Sequence, residues 1–233
     1  MNAQMPTRLV TDEVDFFQDV IPVRGARVVE LGCGKAAFSR SLLQRGLASS
    51  VDAFEVDAAQ HAANLAAPPV AGLRFGLAGA QAIPLPDDSC DVAVMLKSLH
   101  HVPMDLLDGA LAEIARVLVP GGWLYVSEPV YAGEFNDIVK LFHDEGEVRA
   151  AAYAALRRAA DKGVLRWERE MVFDTPLHFR DFDDFVDRIV RVTHSEIELD
   201  PAVATEVRRR FERFPGPGGA HFVRQMRINL LRA

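Results

Sequence analysis

Apolar residues in the first half of the chain follow two rhythms: short unbroken runs, and stretches in which they return every three or four positions. Thr11, followed by Asp12 and Glu13, opens a predicted helix through Val20, with Val14, Phe17 and Ile21 on one side and Pro22 as its stop. Residues 27–31 then read as a buried strand, 38–45 as a helix closed by Gly46, and 51–56 as a second strand. Asp57 caps an alanine-rich helix over 58–66 and Pro68-Pro69 breaks it. A short third strand surrounds 73–77, and 91–96 is an apolar fourth. Between Met104 and Leu118, the positions Leu107, Leu111, Ile114 and Leu118 recur at helical spacing, and Pro120-Gly121-Gly122 ends the segment before a strand over 123–127. Such alternation predicts an α/β fold with a parallel, doubly wound sheet, whose ligands sit beyond the carboxyl ends of the strands. Glu30, Glu55, Lys97 and Glu128 fall at those ends.

Beyond Val130 the rhythm changes. Residues 134–162 read as two helices rich in alanine and charge, 167–173 as an extended piece and 182–190 as a helix. The stretch 131–176 is read as a substrate-covering insertion within one domain spanning 1–233. The tail holds a short strand near Ile197, a helix over 201–214, a proline–glycine loop and a last strand over 221–231.

A hydrophobic fraction of 49% and a charged fraction of 25% match an ordinary globular protein. No apolar stretch approaches the ~20 residues that span a bilayer, and the first residues lack a charged-then-apolar signal pattern, so a cytoplasmic protein without membrane partners is expected. The net charge of −7 disfavours nucleic acid. Arg208, Arg209, Arg210 and Arg213 are interrupted by Phe211 and Glu212 and read as a solvated helix face. Two cysteines, Cys33 and Cys90, supply neither a disulfide framework nor a metal cage, so no metal is expected.

The candidate chemistry starts at Val28-Val29-Glu30-Leu31-Gly32-Cys33-Gly34. Glycines let the chain turn tightly and let a ligand approach the main chain, and the following helix offers N–H groups. A carboxylate at Glu30 would serve a pyrophosphate poorly and an ammonium or sulfonium well.

Together with Ala53-Phe54-Glu55-Val56-Asp57, the stretch from Ala82 to Asp91, Ser98-Leu99-His100-His101-Val102 and the stretch from Glu113 to Gly122, this segment resembles the class I S-adenosylmethionine-dependent methyltransferases over residues 20–130. The resemblance implies a Rossmann-like, mostly parallel seven-stranded sheet with an antiparallel last strand and a helical insertion after strand five. It implies S-adenosylmethionine as cofactor and a small-molecule substrate. The backbone of Gly32, Cys33 and Gly34 would lie against the methionine moiety and Glu30 would hold its ammonium. Glu55 would accept hydrogen bonds from the two ribose hydroxyls, with Asp57 as a competitor that an N-cap role explains, and Val56 would flank the adenine.

Two departures stand out. Ala36 replaces the family's third glycine, tolerable if its backbone angles are ordinary. Gly79 stands where an aspartate commonly receives the adenine amino group, which leaves backbone groups of Gly79 and Ala80 or another side chain. Lys97 joins the cofactor-facing set, pairing with Glu30 or Glu128 or meeting an anionic substrate. His101, or else His100, is the candidate base if the acceptor is a hydroxyl or acidic carbon; a structural histidine pair is the alternative. Tyr131, Phe135, Phe142, His143, Trp167, His178 and Arg180 give the insertion its aromatic and polar groups, of which Tyr131, His143 and Arg180 are the substrate candidates. Residues 134–162 serve equally as a lid or as a homodimer contact.

The function expected is methyl transfer to an oxygen, carbon or nitrogen of a small organic molecule. The alternative is a non-catalytic module of the same fold that binds cofactor or a protein partner. A nicotinamide-dependent oxidoreductase fits worse, because Ala37 takes the sixth position of that glycine fingerprint.

Overall fold

A computed structural model of the chain describes residues 8–191 and 199–233; the strand expected near Ile197 lies outside them. The alternation of the first half is realised as α1 (Glu13–Val20), β1 (Ala26–Leu31), α2 (Ala37–Gln44), β2 (Ala48–Glu55), α3 (Ala58–Ala66), β3 (Leu73–Leu77), β4 (Cys90–Leu96), α4 (Leu107–Val117) and β5 (Leu118–Pro129). There follow α5 (Glu134–Val139), α6 (Gly146–Asp161), β6 (Arg166–Phe179), α7 (Phe182–Phe185), α8 (Pro201–Phe211), β7 (Pro215–Gly216) and β8 (Gly219–Arg232). The sheet runs β3-β2-β1-β4-β5-β8-β6, with the two-residue β7 paired to β8.

β1 pairs in parallel with β2 and β4, Val28 lying opposite both Val51 and Val92. Both faces of these inner strands are covered, which is why β4 reads as an unbroken apolar run with Val92, Ala93, Val94 and Met95 all buried. Strand order reverses beside β1, so the carboxyl ends of β1 and β4 flank the switch point. β8 runs antiparallel to β5: Gly121 N–H donates to the Ala233 carbonyl at 2.9 Å, and Val130 N–H to the Gln225 carbonyl at 2.9 Å.

Three boundaries differ from the periodicity. β5 starts at Leu118, because the Gly121–Gly122 bulge, with Gly121 at φ 78°, lets the strand resume pairing at Trp123 opposite Val92. The helix expected over 182–190 is a short α7 continued by a π turn, Val186–Val190. The extended piece at 167–173 is part of the 14-residue sheet strand β6, so the last quarter of the stretch read as an insertion belongs to the sheet.

The described chain separates into two compact units, the larger comprising 12–128, 148–171 and 227–233. Its core gathers Val29, Leu31, Met95, Leu111, Ile114 and Leu124 around the sheet, together with Ala152, Ala155, Leu156 and Ala159 from α6. Asp108 of α4 accepts from Arg158 at 2.7 Å and Lys162 at 2.9 Å. This part of the segment read as a lid or dimer contact is therefore docked on its own unit. The smaller unit comprises the described residues up to 11, 129–147 and 172–226. Six buried phenylalanines, Phe135, Phe179, Phe182, Phe185, Phe211 and Phe222, form its core, mostly in edge-to-face or tilted contacts. Among the described residues no helix is long and apolar enough to cross a membrane.

Candidate active site

Where β1 ends, the two glycines do different work. Gly32 sits at φ 72°, and a Cβ there would lie 2.6 Å from Cβ of Ser98, whose hydroxyl donates to the Leu31 carbonyl at 2.7 Å. Glycine is thus required both by the left-handed backbone and by the close approach of the segment after β4. Gly34, at φ 51°, has no atom within 4 Å of the place a Cβ would take, so its surface stands open to a ligand. Ala36 also adopts the left-handed region, at φ 53°, with its methyl buried. The expectation of ordinary angles at this position fails; the chain tolerates about 1–2 kcal/mol of strain to turn into α2.

The N–H groups of this loop are already engaged. Gly32 and Cys33 donate to the Phe54 carbonyl at 2.9 and 3.0 Å, and Gly34 donates to Glu55 Oε2 at 2.8 Å. What the loop offers is a bare surface of fixed shape. Asn64 on α3, buried, fixes the other side: its Nδ2 donates to the Gly34 carbonyl at 2.7 Å, and its Oδ1 accepts from Gln60 at 3.1 Å. Burial pushes the Cys33 thiol well above its ordinary range, so it is a neutral filler at its side chain.

Glu55 lies one strand out. Its Oε1 accepts from the N–H groups of Val56 at 2.8 Å and Asp57 at 3.0 Å, which with the Gly34 bond fixes the carboxylate while leaving acceptor capacity. Asp57 caps α3 instead, accepting from Ala59 at 2.8 Å. Val56 is 67% exposed.

Glu30 is buried and accepts a short hydrogen bond from the Ser39 hydroxyl. Burial pushes its carboxyl up to about 7, against the lowering by Ser39 and by the field of Lys97. Lys97 takes φ 55°, its N–H bonded to the Ser127 carbonyl at 2.7 Å. In place of the pairing expected with Glu30 or Glu128, its ammonium lies 3.7 Å from Glu13 of α1. Glu13 also accepts from the buried Tyr125 hydroxyl at 3.2 Å. Read from sequence only as a helix-start residue, Glu13 carries no local sign of this contact with strands far along the chain.

Between β3 and β4, Ala78 N–H donates to the Glu55 carbonyl at 3.1 Å, bringing Gly79 and Ala80 beside the end of β2. Arg116 of α4 clamps the segment beyond, donating to the carbonyls of Ile83 at 2.9 Å and Leu85 at 2.9 Å, while Glu113 accepts from Ile83 N–H at 3.1 Å.

After β4 a single 3-10 turn, Leu99–His101, carries the histidines. His100 is buried, its Nδ1 in a short contact with Glu128, which also accepts from Leu99 N–H at 2.9 Å. His101 is exposed, its ring centroid 4.1 Å from that of His100. His100 is thus fixed by Glu128, and His101 is exposed to solvent.

In the smaller unit, Tyr131 and His143 converge on one turn. The Tyr131 hydroxyl donates to Asp144 at 2.7 Å, and His143 Nε2 lies 2.9 Å from Glu145. The Arg180 guanidinium lies 3.3 Å from Asp184. Phe135 is core and His178 bonds the Gly218 carbonyl at 3.0 Å. Trp167, in the larger unit, packs against its core under Arg157.

Residues 29–126 match the family described as a methyltransferase domain. Over that segment the chain is similar to methyltransferase domains. It is 33% identical over 113 residues to a fatty-acid O-methyltransferase of Mycolicibacterium smegmatis, covering 46% of this chain and 38% of that one. Against an uncharacterized methyltransferase of Mycobacterium ulcerans it is 33% identical over 138 residues, covering 58% and 52%. The matches therefore span about half or less of those relatives' lengths. Its fold is similar to that of an S-adenosylmethionine-dependent methyltransferase from Mesorhizobium loti, with TM-score 0.51 and 18% identity over 92% of this chain and 95% of that one. It is also similar to that of the cyclase SpnF, with TM-score 0.62 and 19% identity over 94% and 79%.

Proposed function

We propose that this protein moves a methyl group from S-adenosylmethionine to an oxygen, nitrogen or acidic carbon of a small organic acceptor. The observation that carries this reading is the Gly34 peptide. Its Cβ side is open, its carbonyl is fixed by Asn64, and its N–H is bonded to the carboxylate of Glu55. That is a surface on which the methionine chain fits closely, with an acceptor placed for the ribose diol and Glu30 behind it for the ammonium. When bound, the cofactor supplies a methyl carbon already activated by the adjacent sulfonium.

The residues then have to hold the acceptor in line, and alignment of this kind is worth ~7–11 kcal/mol. His101, exposed beside the end of β4, takes the acceptor's proton, and His100, fixed by Glu128, supports its ring from behind. A small acceptor is favoured over nucleic acid because the arginines of α8 are each paired with an acid: Arg209 and Arg210 with Glu206 at 2.7 Å each, and Arg208 with Glu212 at 3.7 Å.

Isothermal calorimetry with S-adenosylhomocysteine tests this reading. One-to-one binding is expected; a well-folded chain giving no heat would favour the alternative of a non-catalytic module that binds a protein partner.

A further inference from the structure

Within the smaller unit, the end of β6 and the start of β8 carry a histidine pair that the proposed methyl transfer does not use. His178 and His221 are both exposed, and their ring centroids lie 4.6 Å apart with the planes tilted by 35°. The loop joining β7 to β8 fixes both rings. His178 Nε2 lies 3.0 Å from the Gly218 carbonyl, and His221 Nε2 lies 2.9 Å from the Pro217 carbonyl. A carbonyl only accepts, so each Nε2 is the protonated nitrogen and each neutral ring keeps the lone pair of Nδ1. Neither Nδ1 has a hydrogen-bond partner among the described residues. The surroundings hold this arrangement in place. Gly216 makes room for the His221 ring, since a Cβ there would lie 2.3 Å from Cδ2, and Arg188 donates to the His178 carbonyl at 2.7 Å.

We infer that His178 and His221 form a two-histidine site for a divalent transition-metal ion that favours imidazole, such as zinc. A metal-bound imidazole almost always donates its other N–H to a carbonyl, carboxylate or water, which sets its tautomer and orientation. Here the carbonyls of two successive residues, Pro217 and Gly218, do this for two neighbouring rings. With Zn–N of about 2.0–2.1 Å, a tetrahedral ion holds two ligating nitrogens about 3.3 Å apart, within reach of rings whose centroids are 4.6 Å apart. Among the described residues no third histidine, cysteine or carboxylate joins the pair, so water completes the coordination. Magnesium and calcium prefer oxygen ligands and do not suit this donor set. An ion held by both rings clasps the end of β6 to the β7–β8 loop, and because it binds the folded arrangement it stabilises that arrangement as free metal rises.

The test is calorimetric titration of the full chain with zinc chloride, repeated on His178→Gln and His221→Gln, together with amide hydrogen exchange. Each substitution should weaken the tightest zinc site by about tenfold or more, while the glutamine amide keeps a donor for the loop carbonyl. In the unaltered chain zinc should slow exchange across 216–222 and magnesium should not, and both variants should lose the zinc effect. Unchanged zinc affinity in either variant would overturn the assignment. So would exchange across 216–222 that zinc leaves unaltered in the natural chain, a result that depends on no variant folding.

Discussion

The hydroxyl of Ser39, on the first turn of α2, donates to the buried carboxylate of Glu30 at the end of β1. This one contact compensates only part of the cost of burying the acid, which is why its carboxyl rises to about 7.

A pH dependence follows. In the unfolded chain Glu30 titrates near 4.5, and in the fold near 7, so between these values the folded state holds more protons and stability falls as pH rises. The lost stability amounts to about 3 kcal/mol for a shift of this size. Glu30→Gln should flatten the stability profile between about pH 5 and 7 and raise stability at pH 8, measured by urea unfolding. If Glu30 holds the cofactor ammonium, affinity for S-adenosylhomocysteine should rise from pH 6 to pH 8 in the unaltered chain and lose that rise in Glu30→Gln.

Gly32→Ala should destabilise the chain by about 3 kcal/mol, through left-handed strain and the 2.6 Å approach to Ser98. Ser98→Gly in the same chain should return part of the loss, read as a recovered melting temperature; an uncoupled sum of the two effects would show that the contact is not the cause.

Asn64→Ala should cost about 1–3 kcal/mol of stability by leaving the Gly34 carbonyl unpaired, and should weaken S-adenosylhomocysteine binding although Asn64 is a positioning residue behind the loop. Unchanged affinity at full folding would show that the loop keeps its shape without it.

Arg116→Ala should loosen the segment between β3 and β4, and Arg116→Lys should not restore it, since an ammonium cannot reach the Ile83 and Leu85 carbonyls together with both oxygens of Glu113. Faster amide exchange across 78–87 in both variants is the expected result.

The parts of this site that are legible in the sequence are those that local order determines. Alternating strand and helix periods place Glu30 and Glu55 at strand ends, and Asp57 as a cap follows from the helix it starts. Pairings across the sheet leave no such trace. Glu13 with Lys97, Glu128 with His100, and Arg116 with the carbonyls of Ile83 and Leu85 join residues 28 to 84 positions apart, and only the assembled fold brings them together. Asn64 carries no local sign of its role within an alanine-rich helix; its burial depends on where that helix docks. Ala36 misleads because a small side chain conceals a left-handed backbone.

The central claim is that Glu55 receives a ribose diol on this rim. Titration of the unaltered chain and of Glu55→Ala with S-adenosylhomocysteine and with its 2′,3′-dideoxy counterpart tests it as a double-mutant cycle. The unaltered chain should prefer the diol by tenfold or more, and Glu55→Ala should bind both forms equally. Equal binding of the two forms by the unaltered chain would contradict it.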